Sequence, residues 1–185
     1  MIHKSDVMNE KEKIISDYNY FINKLNLISK LPLIKIVFSI LIPTFGVLYL
    51  HRKSKIHHLK GNKIRSKLYY LLNYYSNHID INPQASIGYN VYFPHPIGIV
   101  IGANVLIGNH VVILSCTTFG TNSAETRSNY GYPIIEDNCY IGTGAKIIGD
   151  ITIGKKSIVG ANAVVINSFA AHSKIIGVPG RTLKK

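Results

Sequence analysis

Residues 135–165 read IEDNCYIGTGAKIIGDITIGKKSIVGANAVV, and this stretch decides the fold. An aliphatic residue recurs in it at every sixth position: Ile135, Ile141, Ile147, Ile153, Val159 and Val165. A period of six fits neither the 3.6-residue period of a helix nor the simple alternation of a strand. It is typical of a solenoid of triangular cross-section, in which each hexad forms one flat side and its aliphatic side chain points into the prism.

The same period extends back through residues 101–119 and 81–93. The whole series comprises thirteen hexads and predicts about four coils. Glycine often follows the aliphatic residue, as at Gly88 and Gly142, and we expect it there because a corner requires unusual backbone angles. The sequence thus predicts a mainly β domain, a parallel β-helix, over residues 81–185.

The six-residue register breaks twice, and a break in a regular solenoid is where we expect function. Between Phe93 and Ile101 the spacing is eight residues, across the segment PHPIG at 94–98. Between Phe119 and Ile135 lies a polar excursion that is too long for a corner. Residues 121–133 are therefore predicted to project as a loop.

Residues 1–80 are predicted to form an α-helical domain. Asn9 and Glu12 have the spacing of a loose capping box, and residues 62–76 carry Leu and Tyr at helical spacing. Four tyrosines of that segment resemble a nucleic-acid stacking set, but we interpret them as core and subunit-contact residues: Tyr69, Tyr70, Tyr74 and Tyr75.

The formal net charge is +12, and most of the excess lies in residues 1–80, with 13 Lys and Arg against 5 acidic residues. Such a balance suits a polyanionic partner: an anionic membrane, an acidic glycan or the phosphates of a nucleotide cofactor. We expect no nucleic-acid partner, because no recognition motif accompanies the charge.

Residues 31–50 are apolar and about as long as a bilayer span, but they contain Pro32, Lys35 and Pro43. We expect a buried helical hairpin broken at Pro43. Peripheral membrane contact is the alternative, because the basic run at 51–55 follows directly. Two widely separated cysteines and the lack of a secretory h-region predict a cytoplasmic protein without disulfides.

Four segments carry a resemblance to a known family: residues 80–88 (DINPQASIG), 94–102 (PHPIGIVIG), 142–149 (GTGAKIIG) and 177–181 (GVPGR). Together they resemble the hexapeptide-repeat serine acetyltransferase family. The resemblance implies a helical N-terminal domain followed by a left-handed β-helix. It also implies assembly as a homotrimer or a dimer of trimers, with acetyl-CoA as co-substrate bound between neighbouring coils.

The resemblance also implies a catalytic pair. His95 matches the histidine that deprotonates the acceptor hydroxyl, and Asp80, fifteen residues earlier, matches the aspartate that orients it. Imidazole is suited to this task because its pKa lies near the operating pH. A carboxylate on the second ring nitrogen fixes the tautomer and stabilises the imidazolium. A coil of about eighteen residues would place Asp80 almost one turn below His95, so contact between them is plausible.

For acetyl-CoA, the resemblance implies backbone contacts at Gly144, Ala145 and Ala163, where small side chains leave room along the wall of the helix. Arg181 and Lys184 would pair with the phosphates, although a solvated basic tail is an equally good interpretation. No Cys/His spacing suggests a metal, and we expect none.

The predicted acceptor follows from departures from the family pattern. Pro94 stands where the family has an aspartate, Gly131 and Tyr132 stand where it has an Arg-His pair, and no Arg-Asp-Pro-Ala segment occurs. An amino acid zwitterion would lose charge-assisted contacts worth ~1.5–3 kcal/mol each. We therefore expect a saccharide acceptor in capsule, exopolysaccharide or lipopolysaccharide biosynthesis, contacted by Pro94 and Tyr132.

Two other hypotheses stay open on the sequence. One is a serine O-acetyltransferase of cysteine biosynthesis, which would use the same base on a different hydroxyl. The other is a non-catalytic solenoid scaffold, for which changes at Asp80 or His95 would cost no activity.

Overall fold

The computed structural model describes residues 4–24, 43–122 and 131–183 of the 185-residue chain. Its three helices are α1 (Lys4–Lys24), α2 (Pro43–Leu59) and α3 (Lys63–Asn77). Asn62 caps α3, its side chain accepting from the backbone N–H of Arg65, as expected for a helix beginning there. Asn9 instead lies inside α1, so the predicted capping box at that position is wrong.

Fourteen short strands follow in the described residues: β1 (Asp80–Ile81), β2 (Ser86–Ile87), β3 (Val100–Ile101), β4 (Leu106–Ile107), β5 (Val112–Ile113), β6 (Thr118–Gly120), β7 (Ile134–Ile135), β8 (Tyr140–Ile141), β9 (Lys146–Ile148), β10 (Thr152–Ile153), β11 (Ile158–Val159), β12 (Val164–Val165), β13 (Lys174–Ile176) and β14 (Arg181–Thr182).

The strands stack into three sheets that form the faces of a prism. The first face has the order β1-β3-β6-β9-β12, the second β10-β7-β4-β2, and the third β14-β13-β11-β8-β5. All pairings are parallel except β13 with β14, which closes the end of the solenoid. The prediction of a left-handed parallel β-helix is confirmed.

The prism has five levels on its first face, one more than the four coils predicted. The predicted number was too low because the series of inward-pointing side chains continues beyond Val165. Phe169 forms a β-bridge with Ile153, and Ile175 is fully buried. The aliphatic positions of every coil point inwards as predicted, and burial of each such side chain stabilises the fold by ~1.5–3 kcal/mol.

The glycines that follow the aliphatic positions are needed for a reason other than the predicted one. Gly88 and Gly142 do not have positive φ; the left-handed residues lie at the corners and are mostly non-glycine, such as Asn90 and His110. A Cβ on Gly88 would lie 2.4 Å from the carbonyl oxygen of Gly108 in the next coil. Glycine is therefore required there by the close stacking of coils, and the predicted backbone explanation is wrong.

The helices pack on the first coil through buried charge. Arg52 of α2 is fully buried and lies 3.2 Å from carboxylate oxygens of Glu10 and Asp17 on α1. Its guanidinium also donates to the backbone carbonyls of Ile87 and Gly88, both at 2.5 Å. One side chain thus joins two helices to the open end of the prism, and α3 then leads directly into β1.

The basic run at 51–55 is not a membrane-facing patch, because Arg52 and Lys55 are both buried, and Lys55 donates to Ala85 O at 2.8 Å. Among the described helices, none combines the length and apolar character that a membrane span requires. Most of the predicted hairpin at 31–50 lies outside the described residues, while α2 begins at Pro43, where the break was expected.

Candidate active site

The eight-residue break forms an outward bulge at the prism edge between the third and first faces. Gly98 N–H donates to His78 O at 3.0 Å, and Ile97 N–H donates back to His95 O at 2.8 Å. These bonds hold the bulge directly over the end of α3. The two extra residues do not disturb the inward series, so they leave His95 exposed on the surface next to Pro94.

Asp80 lies at the same edge, one coil below. Its backbone N–H donates to Ile99 O at 2.8 Å, and its half-buried side chain points away from the prism. The carboxylate accepts a hydrogen bond from the Tyr70 hydroxyl at 3.0 Å. Within the described residues no hydrogen bond joins Asp80 to His95, although catalytic hydrogen bonds often tighten only when substrate binds.

The edge that carries His95 continues upwards through corners with small side chains, and we call the line of Gly98, Cys116, Gly144, Asn162 and Gly177 the His95 edge. A Cβ on Gly98 would lie 3.3 Å from Cys116 Sγ, and one on Gly144 would lie 2.0 Å from Asn162 Oδ1. Gly144 has φ +75°, a left-handed conformation that favours glycine. The edge is therefore narrow and lacks bulky side chains.

Ala145 and Ala163 do not lie on that edge. Both side chains are fully buried in the prism. Their N–H groups donate to the preceding corner, at 3.2 Å for Ala145 and 3.3 Å for Ala163. Their carbonyls accept from the N–H groups of Thr118 and Lys146, at 3.0 and 2.8 Å. Of the three predicted cofactor-contact positions at these coils, the structure places only Gly144 at the surface edge.

Arg181 lies at the top of the His95 edge. It is exposed and lines an open hollow of about 800 Å³. The other lining residues are Ile176, Gly177, Val178, Pro179, Thr182 and Leu183. A mostly apolar hollow with one guanidinium suits a ligand with an apolar arm and phosphates. The predicted partner Lys184 lies outside the described residues.

Tyr132 lies on a different edge, between the first and second faces, where the polar excursion returns to the prism. A Cβ on Gly102 would lie 3.0 Å from its ring, and a Cβ on Gly131 would lie 2.1 Å from Asp150 Cβ. Four steps of extended chain, from Gly98 to Gly102, separate this edge from the His95 edge, a width of ~13 Å. One chain therefore brings Pro94 to His95 but not Tyr132.

The remaining titratable groups do not form a metal site: the described residues contain no cluster of three or more His, Cys, Asp or Glu side chains. Burial raises the pKa of the Cys139 thiol, which points into the prism. His110 and His172 occupy exposed corners with left-handed backbone.

Sequence reasoning missed two polar side chains at the His95 edge. Tyr70 was assigned to the core or a subunit contact, yet it binds Asp80. Lys146 was treated only as part of a repeat, but its ammonium donates to Cys116 O at 2.6 Å, one coil above the bulge. The sequence did indicate that the Lys146 side chain is at the surface, because Lys146 occupies an outward position of its hexad.

Two family models match the repeats. The model described as bacterial transferase hexapeptide (six repeats) matches residues 132–167. The model described as hexapeptide repeat of succinyl-transferase matches residues 85–115. The two matched segments lie on either side of the polar excursion, so the repeats are of one general type throughout the prism.

Curated relatives are similar over the same region. A serine acetyltransferase of Buchnera aphidicola is 41% identical over 107 residues, which are 58% of this chain and 41% of the relative. A serine acetyltransferase of Haemophilus influenzae is 37% identical over 131 residues, 70% of this chain and 48% of the relative. The chain thus spans about half the length of the curated relatives it matches.

Solved structures extend the similarity to the helices. A serine acetyltransferase in complex with cysteine superposes with a TM-score of 0.72 at 31% identity, covering 76% of this chain and 54% of that one. The soybean serine acetyltransferase apoenzyme superposes with a TM-score of 0.80 at 25% identity, covering 95% of this chain and 69% of that one.

The predicted saccharide acceptor, and with it a role in polysaccharide biosynthesis, is wrong: the relatives and structures named above are serine acetyltransferases. The inference assumed that charged partners must occupy positions 94, 131 and 132. Charged side chains from elsewhere in the sequence lie at the two edges. Asp150 packs against Gly131 at one edge, and the Lys146 ammonium donates to Cys116 O at the other.

Repeats, fold and sequence thus agree with one another: the repeats match models of hexapeptide transferases, the fold is that of the serine acetyltransferases, and the sequence is similar to theirs over more than half of this chain.

Proposed function

We propose that this chain is an acetyl-CoA-dependent O-acetyltransferase whose acceptor is the hydroxyl of serine. The observation that carries the proposal is the bulge at 94–98, one of the two breaks in the repeat, which exposes His95 at the same edge as Asp80 and one coil above it. The named relatives and structures, all serine acetyltransferases, support serine as the acceptor.

The proposed chemistry uses His95 as general base. Its imidazole takes the proton of the serine hydroxyl while the hydroxyl oxygen attacks the thioester carbonyl of acetyl-CoA. The carbon–sulfur bond then breaks, and the leaving coenzyme A thiolate takes the proton from the imidazolium. Asp80 orients the ring and stabilises its cationic form between these two steps.

The His95 edge fits the donor substrate. From the coil of Gly98 to that of Gly177 the edge rises by four coil spacings, or ~19 Å at ~4.8 Å each. Small side chains along this line leave room for an extended pantetheine arm. Arg181, in the hollow at its upper end, would then lie beside the phosphates. Gly144 contributes the narrow corner between them, and Ala145 and Ala163, whose side chains are fully buried, keep the coil closely packed beside it.

A second copy of the chain would complete the site. Tyr132 and Asp150 lie on the edge on the far side of the first face, ~13 Å from the His95 edge, and cannot reach His95 of the same chain. In a homotrimer around a threefold axis, that edge of one copy packs against the His95 edge of the next. The Asp150 carboxylate would then bind the serine ammonium, and Lys146 would bind the serine carboxylate.

The deciding experiment follows coenzyme A release by the full chain with acetyl-CoA and L-serine. We expect turnover with L-serine and none with L-alanine, which lacks the hydroxyl. The H95A variant serves as the control for background thioester hydrolysis. Absence of serine-dependent release, or release that is equally fast with H95A, would overturn the proposal.

A further inference from the structure

Tyr70 links the helical region to the proposed active site. It lies near the middle of α3, and its hydroxyl donates to Asp80 Oδ1 at 3.0 Å, across ten residues of chain. The Asp80 backbone is held independently, because its N–H donates to Ile99 O. The phenol therefore adds what the backbone cannot supply, a constraint on the rotation of the carboxylate.

The Tyr70 side chain is itself held in place. The Lys67 ammonium lies 4.2 Å from the centroid of its ring, and the ring of Tyr74 stacks at 6.3 Å between centroids. Burial and the hydrogen bond to Asp80 raise the pKa of Tyr70 to about 12. The phenol thus stays protonated at neutral pH and acts only as a donor towards the carboxylate.

A carboxylate has two oxygens, and the phenol uses one of them. With Oδ1 held by Tyr70, Oδ2 remains for a second donor, and His95 is on the same edge one coil above. Without the phenol, rotation about the Cβ–Cγ bond would exchange the two oxygens and spread the carboxylate over several orientations.

We propose that Tyr70 is a positioning residue that fixes the Asp80 carboxylate so that its free oxygen meets the imidazole of His95. The proposal rests on the function proposed above, since it assigns a task to Asp80 in that reaction. It makes the helical region part of the catalytic apparatus, and not only a cap on the prism.

The attachment of α3 does not depend on Tyr70. The Asn73 side-chain amide donates to Val47 O at 3.1 Å, and Ser54 Oγ donates to Ser66 O at 2.8 Å, both in buried contacts between α2 and α3. Removal of the Tyr70 hydroxyl alone should therefore leave the packing of the helices intact. This separates a positioning role from a structural one.

The test compares Y70F with Y74F. Tyr74 is on the same helix, stacks on Tyr70 and makes no hydrogen bond through its hydroxyl to the described residues. We expect Y70F to lower kcat about tenfold with little change in KM for acetyl-CoA. A tenfold effect is what the loss of one net hydrogen bond that stabilises the transition state would cause. Y74F should keep native kcat, and both variants should keep the native circular dichroism spectrum.

A double-mutant cycle tests whether Tyr70 acts through Asp80. In a D80N background, Y70F should have almost no further effect on kcat, because the carboxylate it positions is gone. Full and independent effects of the two changes would overturn the proposal, as would native kcat in Y70F.

A readout without acceptor keeps this test separate from the choice of serine. Acylation of His95 by diethyl pyrocarbonate, followed by mass spectrometry of the native chain and its variants, reports the reactivity of the imidazole. We expect the rate to change by the same factor in Y70F and D80N, and not in Y74F. A native chain that fails to acetylate serine would refute the proposed function alone, whereas an unchanged His95 rate in Y70F would refute the positioning role.

Discussion

At the scale of single residues, the site depends on one exposed side chain with no rigid partner. His95 has neighbours in the backbone of its bulge, but within the described residues its ring makes no hydrogen bond. Its contribution is chemical and not structural, so removing it should affect rate without affecting folding.

We therefore expect H95A to lower the acetyl-transfer rate by ~10²–10⁴-fold while the affinity for acetyl-CoA changes little, because only the base is lost. D80N should cost less, since a base that is poorly oriented still removes protons. Steady-state kinetics and isothermal titration with coenzyme A measure the two quantities. Equal activity of native chain, H95A and D80N would disprove the assigned mechanism.

A second histidine acts only on stability. His51 is buried, and neither ring nitrogen has a hydrogen-bond partner in the described residues. Burial, followed by repulsion from Arg52, Lys55 and Lys13, lowers the pKa of His51 well below its ordinary value of 6.5. The folded chain therefore holds this ring neutral, while the unfolded chain protonates it near pH 6.5.

The sign of the resulting pH dependence follows from this difference. Above pH 6.5 the titration of His51 has no effect on the free energy of unfolding. Below pH 6.5 this free energy falls by up to ~1.4 kcal/mol per pH unit, because the unfolded chain binds a proton that the folded chain does not. Urea unfolding between pH 5 and 8 measures how the free energy of unfolding depends on pH. H51F should lack the part of this dependence that His51 causes, whereas H58F, a change at the half-buried His58, is the matched control and should keep it. Identical slopes in all three proteins would contradict the prediction.

At the scale of the coil, glycine and alanine set the distance between levels. Gly88 faces the backbone of the next coil, whereas Gly120 in β6 faces open space, with the nearest atom to a Cβ being Ile148 Cδ1 at 4.0 Å. Neither has positive φ, so the two positions differ in packing and not in backbone conformation.

G88A should lower the free energy of unfolding by ~1–3 kcal/mol through overpacking, and G120A should change it by less than ~0.5 kcal/mol. Urea titrations followed by circular dichroism provide both numbers. If the two substitutions were equally costly, the close stacking seen at Gly88 would not be what requires glycine.

At the scale of the whole molecule, the separation of the two edges predicts shared sites. If His95 comes from one copy and Asp150 from the next, H95A and D150N each disable every site of their own homotrimer. Coexpression in equal amounts should restore about a quarter of native activity, the fraction of all interfaces at which both residues are native. Light scattering should show trimers or multiples of three, and no recovery of activity in the mixture would rule out a shared site.

The sequence was sufficient for the architecture, because the period of six directly records which side chains point inwards. The break at 94–98 also proved to be an exposed edge, at His95, whereas most of the predicted loop at 121–133 lies outside the described residues. The contact of Tyr70 with Asp80 was out of reach, since it depends on how α3 docks and no local pattern encodes that angle. The acceptor was misjudged because charged groups were sought at neighbouring sequence positions, while the prism brings Lys146 and Asp150 to the edges from later coils.

The bulge at 94–98 adds two residues at a corner and leaves the inward series untouched on both sides. An insertion at such a place costs the core nothing, so the chain can gain, lose or exchange residues there without refolding. Mutations that change the activity and mutations that change the stability can therefore occur at separate positions. A library randomised at Pro94 and Ile97, with His95 kept, should consequently yield mostly folded proteins with varied reactivity, whereas the same diversity placed at the inward positions should yield few that fold at all.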